Sequence, residues 1–302
     1  MATPQIFDLT ALRHHMIRAQ KQGYATFLLE RVTEDLIDRM SPILRSFTHA
    51  IDIGTPTSLP LNSLIQSNFI QKGIRLTPVS KDETDFLACE ESPFAPPSSS
   101  YDFAFSLLAL QAVNDLPGAL VQIRRLLKPD GLFIGCLLGG ETLSELRQSF
   151  LQAEMEIEGG ASPRVIPFGE IRNLGDLMHR AGFALPVIDS ERLTIRYPNA
   201  FTLMADLRAM GMTNPLLNRK KTLIKKSTLV RMAEIYQTQF SDPDNKVRAT
   251  FDLIWLLGWA PDDSQPKPLR PGQFTIPLKE AIKNAQTESK DKNFHQNICK
   301  NK

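Results

Sequence analysis

Asp52-Ile-Gly54 is the first place along the chain where residue types and spacing suggest chemistry. The acid and the glycine close a short apolar run, His49-Ala-Ile-Asp-Ile-Gly54. Such a run reads as a buried strand ending in a tight turn. In open α/β sheets ligands bind beyond the carboxyl ends of the strands. A glycine there lets a ligand approach the backbone, and a following helix start favours negative charge. Further on, Glu141 and Arg147 lie near the start of a helix opened by Gly139-Gly140, where they can face a substrate above the sheet. Asn214 belongs to a segment expected to cover that site. Metal chemistry has little support. The five histidines, 14, 15, 49, 179 and 295, form no H-x-D or H-x-E arrangement, and no C-x-x-C occurs. Serine-triad grammar and a Walker loop are also missing.

Alternating elements must position these residues. Residues 9–47 carry apolar side chains at helical spacing and read as helix, the segment before the sheet. A helix over 58–68 follows the first strand, and a second short strand spans 74–79. The run Pro93-Phe-Ala-Pro-Pro-Ser-Ser-Ser100 reads as loop. Tyr101 to Leu108 is a buried strand and Leu116 to Leu127 an amphipathic helix. Lys128-Pro-Asp-Gly131 then turns the chain into the strand Leu132 to Leu138. Continuous apolar strands alternating with helices predict a parallel, doubly wound sheet. In the helix opened by Gly139-Gly140, Thr142 and Glu145 have capping-box spacing, and Leu143, Leu146, Phe150 and Leu151 are its expected buried face. Later elements are a helix over 170–182, a strand-rich stretch over 183–197, helices over 200–210 and 227–240, and a last strand over 248–260.

The chain has 302 residues, 42% hydrophobic and 23% charged, with a net charge of +2. These values fit a globular protein, and the charge is too balanced for a surface built on nucleic acid. The positive excess is local. Six lysines against three acids lie in the last two dozen residues, a tail poor in aliphatics that is expected to be disordered. A second basic cluster, residues 219–226, carries five cations and no carboxylate. Three cysteines, Cys89, Cys136 and Cys299, give no disulfide scaffold and point to a reducing compartment. No apolar run is long enough for a transmembrane helix, and no secretory signal is evident.

The chain resembles class I S-adenosylmethionine-dependent methyltransferases. More narrowly, it is similar to the complex I assembly factor five (protein-arginine hydroxylase) family. The likeness rests on Val113-Asn-Asp-Leu-Pro117, Lys128-Pro-Asp-Gly131, Gly139-Gly-Glu-Thr-Leu-Ser-Glu-Leu-Arg147, Glu158-Gly-Gly160, Ser162-Pro-Arg-Val-Ile-Pro-Phe168 and Met210-Gly-Met-Thr-Asn214, and it covers about residues 5–272. It implies an α/β, Rossmann-like fold with a seven-stranded, mostly parallel sheet whose last two strands depart from the parallel run. It also implies an N-terminal helical segment over 1–47, a methyltransferase-like domain over 48–272 with a helical lid insertion near 198–245, and the tail from 273.

The resemblance further implies S-adenosylmethionine as cofactor, held by Asp52, Gly54, Thr55, Glu90, Ser106 and Gln111. Substrate contacts fall to Glu141, Arg147 and Asn214, with no metal ligand assigned. A protein partner such as a respiratory complex I subunit, and a cytoplasmic or mitochondrial-matrix location, are implied in the same way. The alternatives are a small-molecule or carrier-protein carboxylate methyltransferase and a non-catalytic assembly chaperone. The cofactor motif departs from the class pattern of Asp/Glu-x-Gly-x-Gly-x-Gly. Here the run is Asp52-Ile-Gly-Thr-Pro-Thr-Ser58, with Pro56 and Ser58 where glycines are expected. Pro56 has no N–H and a fixed φ. The acid expected at the end of the second strand is missing, and Leu110-Gln111-Ala112 replaces the usual Leu-His-Trp. Weak or lost cofactor binding is the expectation.

Overall fold

Strand β1 (Phe47–Ile53) buries Phe47, Ala50, Ile51 and Asp52, residues from both of its faces, so it sits at the centre of a sheet with cover on either side. In the computed structural model it pairs in parallel with β2 (Ile70–Thr77) on one side and β5 (Tyr101–Leu107) on the other. The structure describes residues 5–79, 85–89, 92–93 and 96–266. The chain divides into units of residues 1–262 and 263–302, and the first contains every element described below. The expected tail lies outside the described residues.

Among the described residues eight strands form the sheet, in the order β4-β3-β2-β1-β5-β6-β8-β7. The remaining strands are β3 (Asp85–Cys89), β4 (Ser92–Pro93), β6 (Leu127–Leu138), β7 (Ala184–Tyr197) and β8 (Val247–Trp259). Seven strands were expected, and the additional one is the two-residue β4. It pairs antiparallel with β3 where the sequence reads as the start of a loop. A second correction concerns direction. β8 runs antiparallel to both β6 and β7, so β7 points the same way as the parallel set and, of the last two strands of the sheet, only β8 is reversed. The order reverses between β1 and β5, which makes the carboxyl ends of those two strands the topological switch point.

Helices cover both faces. α2 (Phe27–Met40), α3 (Leu59–Gln66), α5 (Ser144–Glu158), α7 (Ala200–Ala209) and α8 (Lys226–Phe240) pack one face around Phe103, Phe105 and Trp255. α4 (Leu116–Leu126) and α6 (Ile171–Arg180) pack the other around Phe133 and Leu256. The long helix expected over 9–47 is two helices. α1 (Leu9–Gln22) ends at Gly23, whose φ of +89° lies outside helical space, and α2 leaves in a new direction. Lys128-Pro-Asp-Gly131 is not a turn ahead of the strand but is carried within β6, where Asp130 takes φ +55° and the register with β5 shifts.

The start of α5 departs from its expected form. The helix begins at Ser144, and its N-cap is Leu143 at φ +54° with no side-chain cap. Thr142 and Glu145 do not cap each other. Thr142 Oγ1 accepts from Asp252 N at 3.0 Å and Glu145 accepts from Thr250 N at 3.2 Å. A non-local partner on β8 thus takes both side chains, pinning α5 to the sheet instead of closing its own first turn. Leu143, Leu146 and Phe150 are buried as expected, but Leu151 is 52% exposed. Among the described residues no helix is long and apolar enough to cross a membrane.

Candidate functional site

A cavity of about 470 Å³ opens over the switch point. Its floor is the carboxyl end of β1 (Ile53, Gly54), the residues after β5 (Leu108 to Gln111) and the end of β6 (Leu138). Leu9, Leu12 and Met16 of α1 form the roof, and the stretch Met210 to Pro215 after α7 closes one wall. The segment containing Arg164, Val165, Ile166 and Phe168 closes another. Alternating elements deliver the floor, whereas roof and walls come from parts of the chain far from it in sequence.

Polar ties hold the roof down. Asn114 Oδ1 accepts from the backbone N–H groups of Ile6 and Phe7, each at 2.8 Å, and its Nδ2 donates to Phe7 O at 3.1 Å. Asp8 caps α1 by accepting from Ala11 N, and it also receives Arg219 at 2.9 Å. That cap and that guanidinium hold the Asp8 carboxyl below its ordinary value. Arg18 donates to Thr213 Oγ1 at 2.9 Å, and His15 Nδ1 lies 3.1 Å from Thr213 O. Burial, aided by Arg18, pushes the His15 imidazole down.

The Asp52-Ile-Gly54 turn is built mostly beneath the cavity. Asp52 is fully buried, and Arg75 of β2, its register partner, donates through Nε to Oδ2 at 3.1 Å. The same guanidinium donates through Nη2 to Thr55 O at 2.8 Å. Burial pushes the Asp52 carboxyl up to about 6, against the opposing pull of Arg75. Thr55 Oγ1 accepts from Leu107 N at 3.1 Å, and Ser106 Oγ donates to Ile53 O at 2.6 Å. These three polar side chains bind one another's strands and do not line the cavity.

Gly54 does line it. Its φ is +77° and its N–H donates to Leu76 O at 2.6 Å. A Cβ there would sit 3.0 Å from Ala109 Cβ, so glycine is required both for the turn and for the close approach. Two non-glycine residues in left-handed backbone, Leu108 and Leu143, both at φ +54°, also line the cavity. Such strain costs about 1–3 kcal/mol per residue and concentrates at ligand sites.

The other expected site residues divide sharply. Gln111 lines the cavity; its Nε2 donates to Leu108 O at 2.7 Å, while Oε1 is buried with no hydrogen-bond partner. Asn214 lines it too, but its amide is engaged, donating to Pro163 O at 2.8 Å and accepting from Leu216 N at 3.0 Å. Glu141 is exposed and lines neither this cavity nor the outer groove described below. Arg147 lies in a separate outer groove, donating to Gly140 O at 3.1 Å. Glu90 lies outside the described residues. Sequence reasoning missed the α1 roof, the Asn114 clasp, the Asp52–Arg75 pair and the wall pair Glu154–Arg164. Of these, Asn114 and Arg164 lay in motifs, Val113-Asn-Asp and Ser162-Pro-Arg, and Asp52 in the first-strand turn, but nothing in the sequence signalled their partners.

The size of the cavity suits a nucleoside cofactor. Its charges suit one poorly. Among the described lining residues the charged side chains are Asp115 and Arg164. Asp115 caps α4 by accepting from Gly118 N at 2.9 Å, and Arg164 is held by Glu154 through Nε at 2.7 Å. Arg164 is therefore not free for the carboxylate of S-adenosylmethionine, while the exposed Asp115 spends one carboxylate oxygen on its cap. At the ribose position β2 ends in Thr77, whose hydroxyl donates to Val79 O at 3.1 Å, and Pro78, which lines the cavity. Shape and the Gly54 turn fit the cofactor, but the described lining residues offer no unpaired cation for its carboxylate. Among the described residues no three His, Cys, Asp or Glu side chains gather as a metal-ligand set.

Comparison with known proteins agrees with this architecture. A family profile described as "Methyltransferase domain" matches residues 24–186. The solved structure of YcgJ protein from Bacillus subtilis superposes with a TM-score of 0.50 at 12% identity, covering 77% of this chain and 99% of that one, a likeness of fold. These define a class I methyltransferase-fold protein. The sequence is 35% identical over 273 residues to arginine-hydroxylase NDUFAF5, mitochondrial, of Danio rerio, covering 87% of this chain and 84% of the relative. The human protein of the same name is 34% identical over 289 residues, with 92% and 84% covered. A malonyl-[acyl-carrier protein] O-methyltransferase of Gallionella capsiferriformans is 30% identical over 283 residues, with 85% and 92% covered. The chain belongs to the NDUFAF5 family of S-adenosylmethionine-dependent methyltransferase-fold proteins.

Proposed function

We propose that this protein acts on, or holds, a protein partner during assembly of respiratory complex I, with S-adenosylmethionine bound weakly or not at all. One observation carries the cofactor half of this reading. The charged side chains on the described cavity wall are already engaged, and Pro56 and Ser58 stand where the class places glycines. Each missing polar contact removes on the order of 1 kcal/mol. Two or three such losses weaken binding by about 30- to 150-fold at ~1.4 kcal/mol per decade. The partner half rests on kinship with the NDUFAF5 proteins. S-adenosylmethionine, when bound, supplies an electrophilic methyl group. The residues placed to touch it are Gly54 and Gln111, and Asp52, Thr55 and Ser106 stabilise the turn from below.

Methylation of a carrier-protein carboxylate, the activity named for the Gallionella relative, is the weaker reading. A carboxylate substrate calls for a free cation, and Arg164, the cation on the described inner wall, is neutralised by Glu154. In a bacterium the protein works in the cytoplasm, and in a eukaryote in the mitochondrial matrix.

Isothermal titration with S-adenosylmethionine tests the cofactor half; a low-micromolar dissociation constant overturns it. Gene deletion followed by mass spectrometry of the complex I subunits tests the rest. Falling subunit levels alone mark a chaperone. A lost arginine modification at intact subunit levels marks catalysis.

A further inference from the structure

An outer groove of about 620 Å³ lies on the other side of the 162–167 segment from the inner cavity, and both are lined by Arg164, Val165 and Ile166. This wall is the Ser162-Pro-Arg-Val-Ile-Pro-Phe168 stretch, one chain thick and without regular secondary structure over 161–168. Glu154, 1% exposed, holds it by accepting from Ser162 N at 2.7 Å and from Arg164 Nε at 2.7 Å. Asn214 holds it through Pro163 O.

One flank of the groove is the outward stripe of α5. Arg147, Leu151 and Met155 succeed one another a turn apart, and Leu151 and Met155 are 52% and 55% exposed. Across from them, Ile6 is 45% exposed and its carbonyl accepts from the N–H of Leu217 at 2.9 Å. Beyond Asn218, a lining residue, the chain enters the basic cluster. Lys220 pairs with Glu158 at the end of α5, which fixes this cluster beside the groove. Lys221, Lys225 and Lys226 are exposed and make no ion pair among the described residues. Between them Leu223 is 97% exposed. The surface is therefore apolar and positive at once, with a recessed floor.

We infer that this groove docks an extended protein segment bearing apolar and acidic side chains. Charge complementarity selects the sign of the partner, with Arg147 and the three lysines facing carboxylates. The recess selects a polypeptide over a membrane, because a concave floor between α5 and the 161–167 wall suits side chains better than a flat lipid surface. The inference takes from the proposed function only that the partner is a protein, and it does not depend on cofactor binding.

The test uses the full chain and two fluorescein-labelled dodecapeptides, one alternating leucine with aspartate and the other leucine with lysine, measured by fluorescence anisotropy. The acidic peptide is expected to bind and the basic one to fail. Arg147→Glu and Leu151→Asp are each expected to weaken binding about tenfold, from the reversed charge and the lost apolar contact. Thermal melting checks that both variants fold, and Met155→Asp replaces either that does not. Equal binding of the two peptides, or no effect of the variants, overturns the inference. So does equal or stronger binding to phosphatidylglycerol vesicles with the same variant dependence. A tight S-adenosylmethionine titration would overturn the cofactor proposal and leave this result standing.

Discussion

Two carboxylate–guanidinium pairs bracket the inner cavity, and they hold different things. Asp52–Arg75 joins neighbouring parallel strands below the floor, with side chains 0% and 4% exposed. Glu154–Arg164 joins a helix to an irregular wall, with side chains 1% and 12% exposed. The first pair ties a turn that the class uses for a cofactor to the strand beside it. The second keeps two cavities apart. Only the second consumes charge on the cavity lining, and only the second lies in a segment without regular backbone hydrogen bonding. The floor is held by the sheet; the wall is held by the Glu154 carboxylate and the Asn214 amide.

Substitutions separate these roles. Arg75→Met leaves a buried carboxylate without its cation and is expected to cost about 3–5 kcal/mol in urea denaturation. The double variant Asp52→Asn, Arg75→Met recovers most of that loss. Glu154→Gln weakens the charged bonds to Arg164 and Ser162, and about 2 kcal/mol is expected, because Arg164 also lies over the Phe150 ring and keeps that contact. Its clearer signature is faster limited proteolysis within 159–168 with the sheet intact. Equal protease resistance of the two proteins would show that the wall needs no such clasp.

The floor pair also has a pH signature. The folded Asp52 carboxyl sits at about 6 against an ordinary 3.8, so the folded state binds its proton more readily than the unfolded chain. This site's contribution is therefore fully present below about 4 and is lost as pH rises through 6, the reverse of a carboxylate whose value is depressed. Melting temperatures of the parent and Asp52→Asn, taken from pH 4 to 7, are expected to diverge with this sign. The smallest effect is expected from Arg147→Glu, which touches neither pair and leaves stability within about 0.5 kcal/mol.

Much of the floor was legible because parallel strands write themselves as apolar runs. His49-Ala-Ile-Asp-Ile-Gly54 and Leu132 to Leu138 needed no partner to be read. The pairing of Asp52 with Arg75 was hidden, because it depends on the register between β1 and β2, which no local pattern encodes. Thr142 and Glu145 misled for the same reason. Their spacing fits a local cap, but β8, more than a hundred residues later, offers better-placed partners. Leu151 fits an apolar register and still faces solvent, since a helix pattern fixes a period and not which neighbour lies opposite. Asn214 is placed by a segment that carries no periodic signal, and Arg147 by a helix whose period does not say which cavity its exposed side meets.

The ties of α1 have a consequence for synthesis. Thr213 contacts His15 across 198 residues, and Arg219 reaches Asp8 across 211. A ribosome adding about 5–20 residues per second needs roughly 10–40 s to make that stretch. Throughout this interval the apolar face of Leu9, Leu12 and Met16 has emerged without the wall that will cover it. The newborn helix thus depends on a chaperone or on provisional contacts with the early strands, and the cavity comes into being only after residues 210–219 have been made.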